Sequence, residues 1–263
     1  MATSTFIAAG LPARELPVVL LKILTYGFLY IYAFTTVNQL ASGEEDAANK
    51  PHRPLAKGIV TRQWMIRRAV ATNALFITIG FLFSIPWPTL TWLALIHLHN
   101  IFDRIYRHWF FKNVVFISLG AGVELTAVWG LTAPTALPWA WICVTSLLAG
   151  IGCNCQDIRD VVGDRLVRRK TMSVAWGERN ARAAAVLILF STPVIQYAVL
   201  PWPPPSAALL ICLGIPCALI WLSATRFLLF RNPRSDHWSY QLFCFWWCSA
   251  LLLQPLVITG YIG

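Results

Sequence analysis

The chain has 263 residues and a formal net charge of +10, and 57% of its residues are apolar whereas only 12% are charged. Its mean hydropathy of +0.61 excludes an ordinary soluble domain and indicates a polytopic membrane protein. The basic residues do not form a stripe on a soluble module, so we exclude nucleic acid as a partner and expect the lipid bilayer as the surroundings.

Eight apolar segments approach or exceed the length of about 20 residues that a transmembrane helix needs. They cover residues 16–37, 64–85, 89–103, 114–131, 137–155, 181–200, 207–230 and 238–262, of which 89–103 is the shortest. Prolines at Pro86, Pro88 and in 201–205 separate several of them. We predict an all-α fold, a polytopic transmembrane bundle of about eight helices with cytoplasmic cap loops, forming a single domain over residues 1–263.

Basic residues are distributed unevenly among the predicted loops. If the chain crosses the membrane eight times, the basic stretches 50–68, 104–112, 159–182 and 226–234 all lie on one face. Lysine and arginine collect on the cytoplasmic side of membrane proteins. Only Arg14 and Lys22 depart from this pattern, so we predict that these four stretches face the cytoplasm.

Polar side chains interrupt the apolar sequence where the first span ends. This first acidic motif consists of Asn38, Ser42, Glu45 and Asp46, and residues 49–54 follow it with the sequence Asn-Lys-Pro-His-Arg-Pro. Carboxylates at the edge of a membrane bundle need a balancing positive charge, and hard oxygen ligands suit Mg²⁺. The motif is therefore a candidate half of a Mg²⁺ site.

A second acidic motif follows the fifth span, where Asp157, Asp160 and Asp164 have the spacing i, i+3 and i+7. This spacing predicts three carboxylates along one face of a helix, with Gly163 letting the chain turn out of it. Three like charges repel, so we expect a cation among them, and the lack of His or Cys ligands favours Mg²⁺ over zinc. The basic residues that follow, 168–170, are suited to bind phosphate oxygens.

Residues 156–165 read Gln-Asp-Ile-Arg-Asp-Val-Val-Gly-Asp-Arg, which resembles the second motif of the UbiA superfamily of intramembrane prenyltransferases. Residues 49–54 are also similar to this family, whereas Gln39 and Ser42 stand where its first motif has aspartates. The resemblance runs from about Asn38 to the end of the chain. It implies Mg²⁺ as the cofactor, a prenyl diphosphate as the substrate, and a fold of nine helices, one more than we count.

The resemblance also implies roles for individual residues. The expected catalytic residues are Asn38, Asp46, Asp157, Asp160 and Asp164, and the expected metal ligands are these five with Ser42 and Glu45. The expected diphosphate-binding residues are Lys50, Arg53, Lys112, Arg165, Arg169 and Lys170. Lys112 belongs to this set because family members place a phosphate-binding cation in the corresponding loop. We expect Asp157→Ala to abolish turnover and leave the protein folded.

A carbocation must be kept from water, and aromatic faces stabilise positive charge. The residues expected to line the hydrophobic pocket are Phe76, Phe116, Glu124, Trp129 and Tyr197. Glu124 lies near the middle of its span, where it would steer a cation or accept a proton. The favoured alternative is a structural hydrogen bond from Glu124 to a polar residue of a neighbouring helix, namely Asn73, His97, His99 or Asn100.

The altered first motif is similar to that of a fungal branch of the superfamily, whose members are membrane-bound sesquiterpene cyclases. The resemblance thus implies a class I terpene cyclase that ionises farnesyl diphosphate and closes it to a sesquiterpene, in the endoplasmic reticulum with its active site facing the cytoplasm. An aromatic prenyltransferase that uses a phenolic or quinone acceptor is the first alternative, because both reactions share the motifs for ionisation. A non-catalytic membrane scaffold with a decayed site is the second.

Overall fold

The computed structural model describes residues 1–41, 43, 46–47, 51–102, 107–132, 136–200, 202–204 and 206–261. Regular structure in these residues is helical, apart from an isolated backbone pairing of His108 with Lys170. The helices are α1 (Ala2–Ala8), α2 (Leu16–Ala41), α3 (Arg62–Leu82), α4 (Pro86–Ile101), α5 (Phe110–Thr132), α6 (Trp139–Gly152), α7 (Val161–Leu166), α8 (Met172–Trp176), α9 (Glu178–Val199), α10 (Ala207–Leu229) and α11 (Pro233–Ile258).

The eight long helices of the described chain correspond to the eight predicted spans. Six of them, α2, α3, α5, α9, α10 and α11, are long and apolar enough to cross a membrane. The other two have 16 residues (α4) and 14 residues (α6), so they rise only about 24 and 21 Å. Helix α6 is shorter than predicted because the chain tightens into a 3-10 helix at Cys153–Ile158.

Local sequence explains where several of these helices begin. The side chains of Thr61, Ser206 and Asn232 each accept a hydrogen bond from the backbone of the first turn of α3, α10 and α11. Such caps satisfy amide groups that have no partner within the helix. Helices α4 and α11 begin with Pro86 and Pro233, whose fixed backbone angle suits a first helical position.

Two groups of helices pack around separate apolar cores. In the first half, α2, α3, α4 and α5 bury an aromatic cluster in which Tyr30 and Trp92 stack at 4.1 Å between ring centroids. In the second half, α6, α9, α10 and α11 bury a cluster centred on Trp246 and Phe227. Helices α5 and α6 pack against each other and join the halves.

Both acidic motifs lie at the same end of the bundle. At this end the Arg62 guanidinium donates to the Leu40 carbonyl at 3.0 Å, which joins the end of α2 to the start of α3. Asn113 near the start of α5 bonds Asn154 just beyond α6 at 2.8 Å. Phe34 of α2 also contacts Phe116 of α5, with ring centroids 5.6 Å apart. The acidic motifs therefore share one rim, the face on which the basic stretches were also predicted.

The short helix α1 occupies the opposite end. Thr5 Oγ1 donates to Thr132 Oγ1 at the end of α5 at 2.6 Å, and Ser4 Oγ donates to the Leu252 carbonyl of α11 at 2.5 Å. Both side chains are buried, as is Phe6. Sequence analysis did not predict this helix, because seven residues are too few for a hydrophobic period to be recognised.

Candidate active site

The second acidic motif does not form one continuous helix face, and that prediction was wrong. Asp157 lies in the 3-10 helix that follows α6, Asp160 lies in the turn after it, and Asp164 lies in α7. The change from 3.6 to about 3 residues per turn rotates the side chains out of register. Asp157 and Asp164 are buried, at 2% and 1% exposure, whereas the Asp160 side chain is 36% exposed.

Asp157 receives two side chains from the start of α5. Lys112 Nζ lies 3.2 Å from Asp157 Oδ1, and Asn113 Nδ2 donates to Asp157 Oδ2 at 2.9 Å. The amide of Asn113 also donates to Asn154 Oδ1. The first eight residues of α5, Phe110–Ile117, form a π-helix, a geometry frequent at functional sites. Lys112 therefore lies on this rim, in contact with Asp157.

Asp164 keeps one oxygen without a protein partner. Its Oδ1 lies 3.7 Å from an Arg169 nitrogen, while Oδ2 is buried and makes no hydrogen bond within the described part of the chain. The pKa of Asp164 is raised to about 6, chiefly because the carboxyl is buried and also because Asp157 lies near, while Lys112 and Arg169 oppose the shift. An unsatisfied buried carboxylate oxygen is costly, and a hard cation satisfies it.

The chain leaves α7 at Arg168, not at Gly163 as predicted. Gly163 is inside the helix, whereas Arg168 adopts a positive φ of 55°. The left-handed conformation turns the backbone so that the Arg169 amide bonds the Asp164 carbonyl at 2.9 Å. Lys170 then pairs with the backbone of Arg107 and Trp109 at 2.9 Å each. These backbone contacts bring the loop after the motif beside the start of α5.

The first acidic motif is described only in part. Asp46 is buried, and one Arg53 nitrogen contacts both of its carboxylate oxygens, at 2.7 and 2.8 Å. Asn38 is half-buried near the end of α2. Three predicted site residues, Ser42, Glu45 and Lys50, lie outside the described residues.

The predicted diphosphate-binding cations therefore divide into two kinds. Arg53, Lys112 and Arg169 are each in an ion pair with a predicted metal ligand, namely Asp46, Asp157 and Asp164 respectively. Arg165 and Lys170 are exposed on the cap. The rim thus contains acids that are each paired with a base.

The oxygen donors fit Mg²⁺ if the substrate supplies further ligands. Within the described residues, no group of three or more Asp, Glu, His or Cys side chains is arranged to hold an ion by itself. Mg²⁺ is commonly bound by one or two carboxylates together with water and substrate phosphates. Asp157 and Asp164, with the open Oδ2 of Asp164, provide such a partial site.

The aromatic residues predicted for the pocket are not in one place. Phe76 and Phe116 lie in the buried cluster of the first half, and Phe116 stacks on His99 at 4.1 Å. Trp129 packs instead with Trp141 in a separate cluster toward the opposite end. Tyr197, also predicted to line the hydrophobic pocket, is 58% exposed and lies on a separate groove between α9 and α10. In that helix Gln196, and not Tyr197, points inward.

Glu124 makes none of the structural hydrogen bonds that sequence analysis favoured. In the described structure Asn73 pairs with His97 at 3.0 Å, and the Asn100 amide donates to the Ile96 carbonyl. Glu124 lies one helical turn after Gly120, whose carbonyl accepts the Tyr30 hydroxyl at 2.6 Å. It is half-buried on the side of α5 near the aromatic cluster.

Sequence reasoning missed Asn113, Asn154 and the Tyr30–Trp92 stack. The two asparagines lie at the ends of apolar spans, and the free-energy cost of a polar group near the membrane was a signal that could have identified them. The stack had no such signal, because aromatic residues are frequent throughout the chain, at 13%.

Comparison with known proteins identifies the family of this chain. The model of the UbiA prenyltransferase family matches residues 1–249. Somaliensene A/B synthase of Streptomyces somaliensis is 32% identical over 246 residues, covering 92% of this chain and 81% of that protein. Diterpene cyclase eriG of Hericium erinaceus is 33% identical over 252 residues, covering 94% and 79%. Polyprenyl transferase eriF of the same organism is 29% identical over 263 residues, covering 96% and 86%.

A solved structure described as "Structural and mechanistic insights into the biosynthesis of Digeranylgeranylglyceryl phosphate synthase in membranes" has the same fold. It superposes with a TM-score of 0.67 over 98% of this chain and 92% of that chain, at 14% sequence identity. The family match, the relatives and the helical membrane bundle lead to one conclusion: this chain is a multi-pass integral membrane enzyme of the UbiA prenyltransferase family.

Proposed function

We propose that the protein is a Mg²⁺-dependent terpene cyclase that ionises farnesyl diphosphate and closes the resulting cation to a sesquiterpene. The observation that carries this proposal is the pair of buried carboxylates, Asp157 and Asp164, on a rim with Lys112 and Arg169. Two of the relatives are named as a synthase and a cyclase of terpene type, which favours cyclisation.

The charge-balanced rim suggests how substrate binds. Arg53, Lys112 and Arg169 each pair with a carboxylate of the acidic motifs. When a diphosphate binds, these cations have phosphate oxygens as new partners, and the released carboxylates are free to hold Mg²⁺. The exchange keeps every buried charge paired, so no charge loses its hydration without gaining a partner of opposite sign.

The reaction begins when the C1–O bond of the prenyl diphosphate breaks and the diphosphate leaves with the bonding electrons. Mg²⁺, when bound, neutralises the charge that develops on the leaving oxygen. Lys112 and Arg169 add positive charge at fixed positions, which stabilises the transition state more than the ground state. A double bond of the same chain then attacks the cation, and loss of a proton completes the product.

The organic part of the reaction needs a dry and aromatic environment. Phe34, Trp92, His99 and Phe116 form a group of stacked or tilted rings at the end of the first half that carries the acidic motifs. Ring faces stabilise positive charge, and the surrounding bundle excludes water. We propose that this group contacts the prenyl chain nearest the diphosphate.

A prenyltransferase is the second candidate, because a polyprenyl transferase is also among the relatives. In that case an aromatic acceptor attacks the cation in place of the substrate's own double bond. A non-catalytic scaffold is less favoured, since a decayed site would not need to keep buried carboxylates at 1% and 2% exposure. If the resemblance to fungal cyclases holds, the protein lies in the endoplasmic reticulum with this rim facing the cytoplasm.

The test uses the purified protein in liposomes with Mg²⁺ and farnesyl diphosphate. A cyclic hydrocarbon found by gas chromatography without an acceptor supports the cyclase, and a prenylated phenol that forms only with an acceptor supports the alternative. Geranylgeranyl diphosphate is assayed in parallel, because one relative is named as a diterpene cyclase. Release of no diphosphate from either donor, with folded protein, would refute both enzymatic proposals.

A further inference from the structure

Arg159 lies inside the second acidic motif, between Asp157 and Asp160, and its side chain contacts α11. Its Nε donates to Asp160 Oδ1 at 3.2 Å, and its NH1 lies 2.7 Å from Nδ1 of His237 in α11. The guanidinium also lies over the ring of Tyr240, 5.2 Å from the centroid. One side chain thus joins the motif to the first two turns of α11.

The chemistry of the contact defines the state of His237. A guanidinium has only donors and stays protonated in proteins, so Nδ1 of His237 must be the acceptor. The imidazole is therefore unprotonated at Nδ1 in this arrangement. A lysine at position 159 would lack the planar group that bonds Asp160, bonds His237 and stacks on Tyr240 at once.

The first turns of α11 are a firm support for this contact. Asp236, next to His237, is buried and pairs with Arg182 of α9 at 2.6 and 2.9 Å. Arg182 also donates to the carbonyls of Phe227 and Phe230 at the end of α10. Three helices are thus held together immediately beside the contact with Arg159.

The motif, in contrast, has little support of its own around Asp160. This residue lies in a turn between the 3-10 helix and the six-residue helix α7, and its side chain is the most exposed of the three aspartates. A carboxylate in such a turn has several rotamers available, and metal binding must then select one of them at an entropic cost. The bond from Arg159 restricts that choice before any ligand binds.

We propose that His237 and Tyr240 are positioning residues of the active site, which hold Arg159 so that Arg159 holds Asp160 in the orientation that Mg²⁺ binding requires. This inference rests on the proposed function and extends it to residues outside both acidic motifs. Arg159 then acts on the substrate only through Asp160 and is not a ligand of the diphosphate.

The test measures the Mg²⁺ concentration that gives half-maximal diphosphate release, together with kcat at saturating Mg²⁺. His237→Leu removes the hydrogen-bond acceptor of Arg159. We expect the Mg²⁺ midpoint to rise about fivefold, which is the effect of one lost hydrogen bond. At high Mg²⁺ concentration kcat should largely recover. His237→Asn retains an acceptor close to the ring position and is expected to stay within about twofold of the wild type. Tyr240→Phe keeps the ring face and should resemble His237→Asn.

His97→Leu is the matched control, because it removes a histidine that also bonds a polar partner, Asn73, but lies on α4 away from Arg159. Its Mg²⁺ midpoint should equal that of the wild type. The proposal is overturned if His237→Leu, folded by its melting temperature, keeps the wild-type midpoint, or if His237→Asn and His237→Leu raise it equally.

Failure of the proposed function gives a different result. If the wild type releases no diphosphate from any prenyl donor, the proposed reaction fails, and the Mg²⁺ midpoint is then read from the rise in melting temperature with Mg²⁺ at a fixed concentration of inorganic pyrophosphate, which supplies the phosphate ligands. His237→Leu must still shift that midpoint. A wild type that Mg²⁺ with pyrophosphate does not stabilise would overturn the inference as well, since no metal binding would exist for Asp160 to serve.

Discussion

The side-chain amide of Asn113 lies 2.9 Å from Oδ2 of Asp157, and this contact joins the start of α5 to the second acidic motif. Both residues are buried. The amide therefore fixes the carboxylate from the side opposite to Lys112, which contacts Oδ1.

Asn113→Asp keeps the size of the side chain but places a second carboxylate against Asp157. Two like charges in a buried site resist joint ionisation, so we expect diphosphate release to fall by about 100-fold or more. Asn113→Ala only removes the bond and should cost about tenfold. Rates at saturating Mg²⁺ measure both. If Asn113→Asp releases diphosphate faster than Asn113→Ala, repulsion between two carboxylates is not the reason that position 113 needs an amide.

Asp157 is better tested by Asp157→Asn than by Asp157→Ala. The alanine variant leaves Lys112 without its partner, so the earlier expectation that it stays fully folded needs revision. Asp157→Asn keeps the shape, and we expect turnover to fall by about 100-fold or more with little change in melting temperature. Asp160→Asn, at an exposed position, should have the smaller effect. Equal effects of the two substitutions would contradict the different roles assigned to them.

Arg53 and Asp46 are suited to a double-mutant cycle. Arg53→Gln removes the cation that contacts both oxygens of the buried Asp46 carboxylate and should lower both stability and turnover, whereas Arg53→Gln combined with Asp46→Asn should recover the stability. Turnover should not recover, because the predicted contacts to Mg²⁺ and diphosphate are both lost. Recovery of turnover in the double variant would show that the pair is only structural.

The ion pair between Arg182 and Asp236 is predicted to stabilise the second half of the bundle. Asp236→Asn removes the buried charge partner of Arg182 and leaves it the exposed Glu178, at a cost of about 3–5 kcal/mol in the free energy of unfolding. Glu178→Gln removes the other partner of Arg182, which is 54% exposed, and should cost less than about 1 kcal/mol. Unfolding in detergent measures both, and comparable losses would contradict the assignment of Asp236 as the main partner.

Glu124→Gln is expected to change the products and not the ionisation step. The carboxyl lies along α5 about eleven residues from Asn113, or about 16 Å at 1.5 Å per residue, so it cannot contact the diphosphate. Diphosphate release should stay near the wild-type rate while the hydrocarbon mixture shifts. An unchanged mixture from an active variant would exclude Glu124 from the reaction.

Much of the fold was predictable because membrane insertion leaves few options for an apolar chain. Every span must satisfy its backbone internally, so eight apolar segments imply eight helices. The helix boundaries differ from the predicted ones where the backbone departs from the α-helix, as in the 3-10 helix at Cys153–Ile158. Helix α1 was missed for lack of length.

The residue types of the site were predictable from the sequence, but the contacts between those residues were not. The spacing of Asp157, Asp160 and Asp164 identified an acidic motif, yet periodicity alone wrongly assumed a continuous α-helix. Tyr197 was assigned to the hydrophobic pocket from its place in a span, and only the structure shows that its side chain lies on the groove between α9 and α10. Local propensity shows neither the 3-10 helix nor the direction of this side chain.

The sequence alone showed that this chain is a helical membrane protein with polar motifs on its basic face. Composition, hydropathy and charge placement were sufficient for this, because the bilayer imposes length and charge rules on each segment separately. Only the tertiary structure decided which acid pairs with which base, that Arg159 points to His237, and that Asp164 keeps a buried oxygen open. Those relationships join segments far apart in the chain, and they depend on how helices pack against one another.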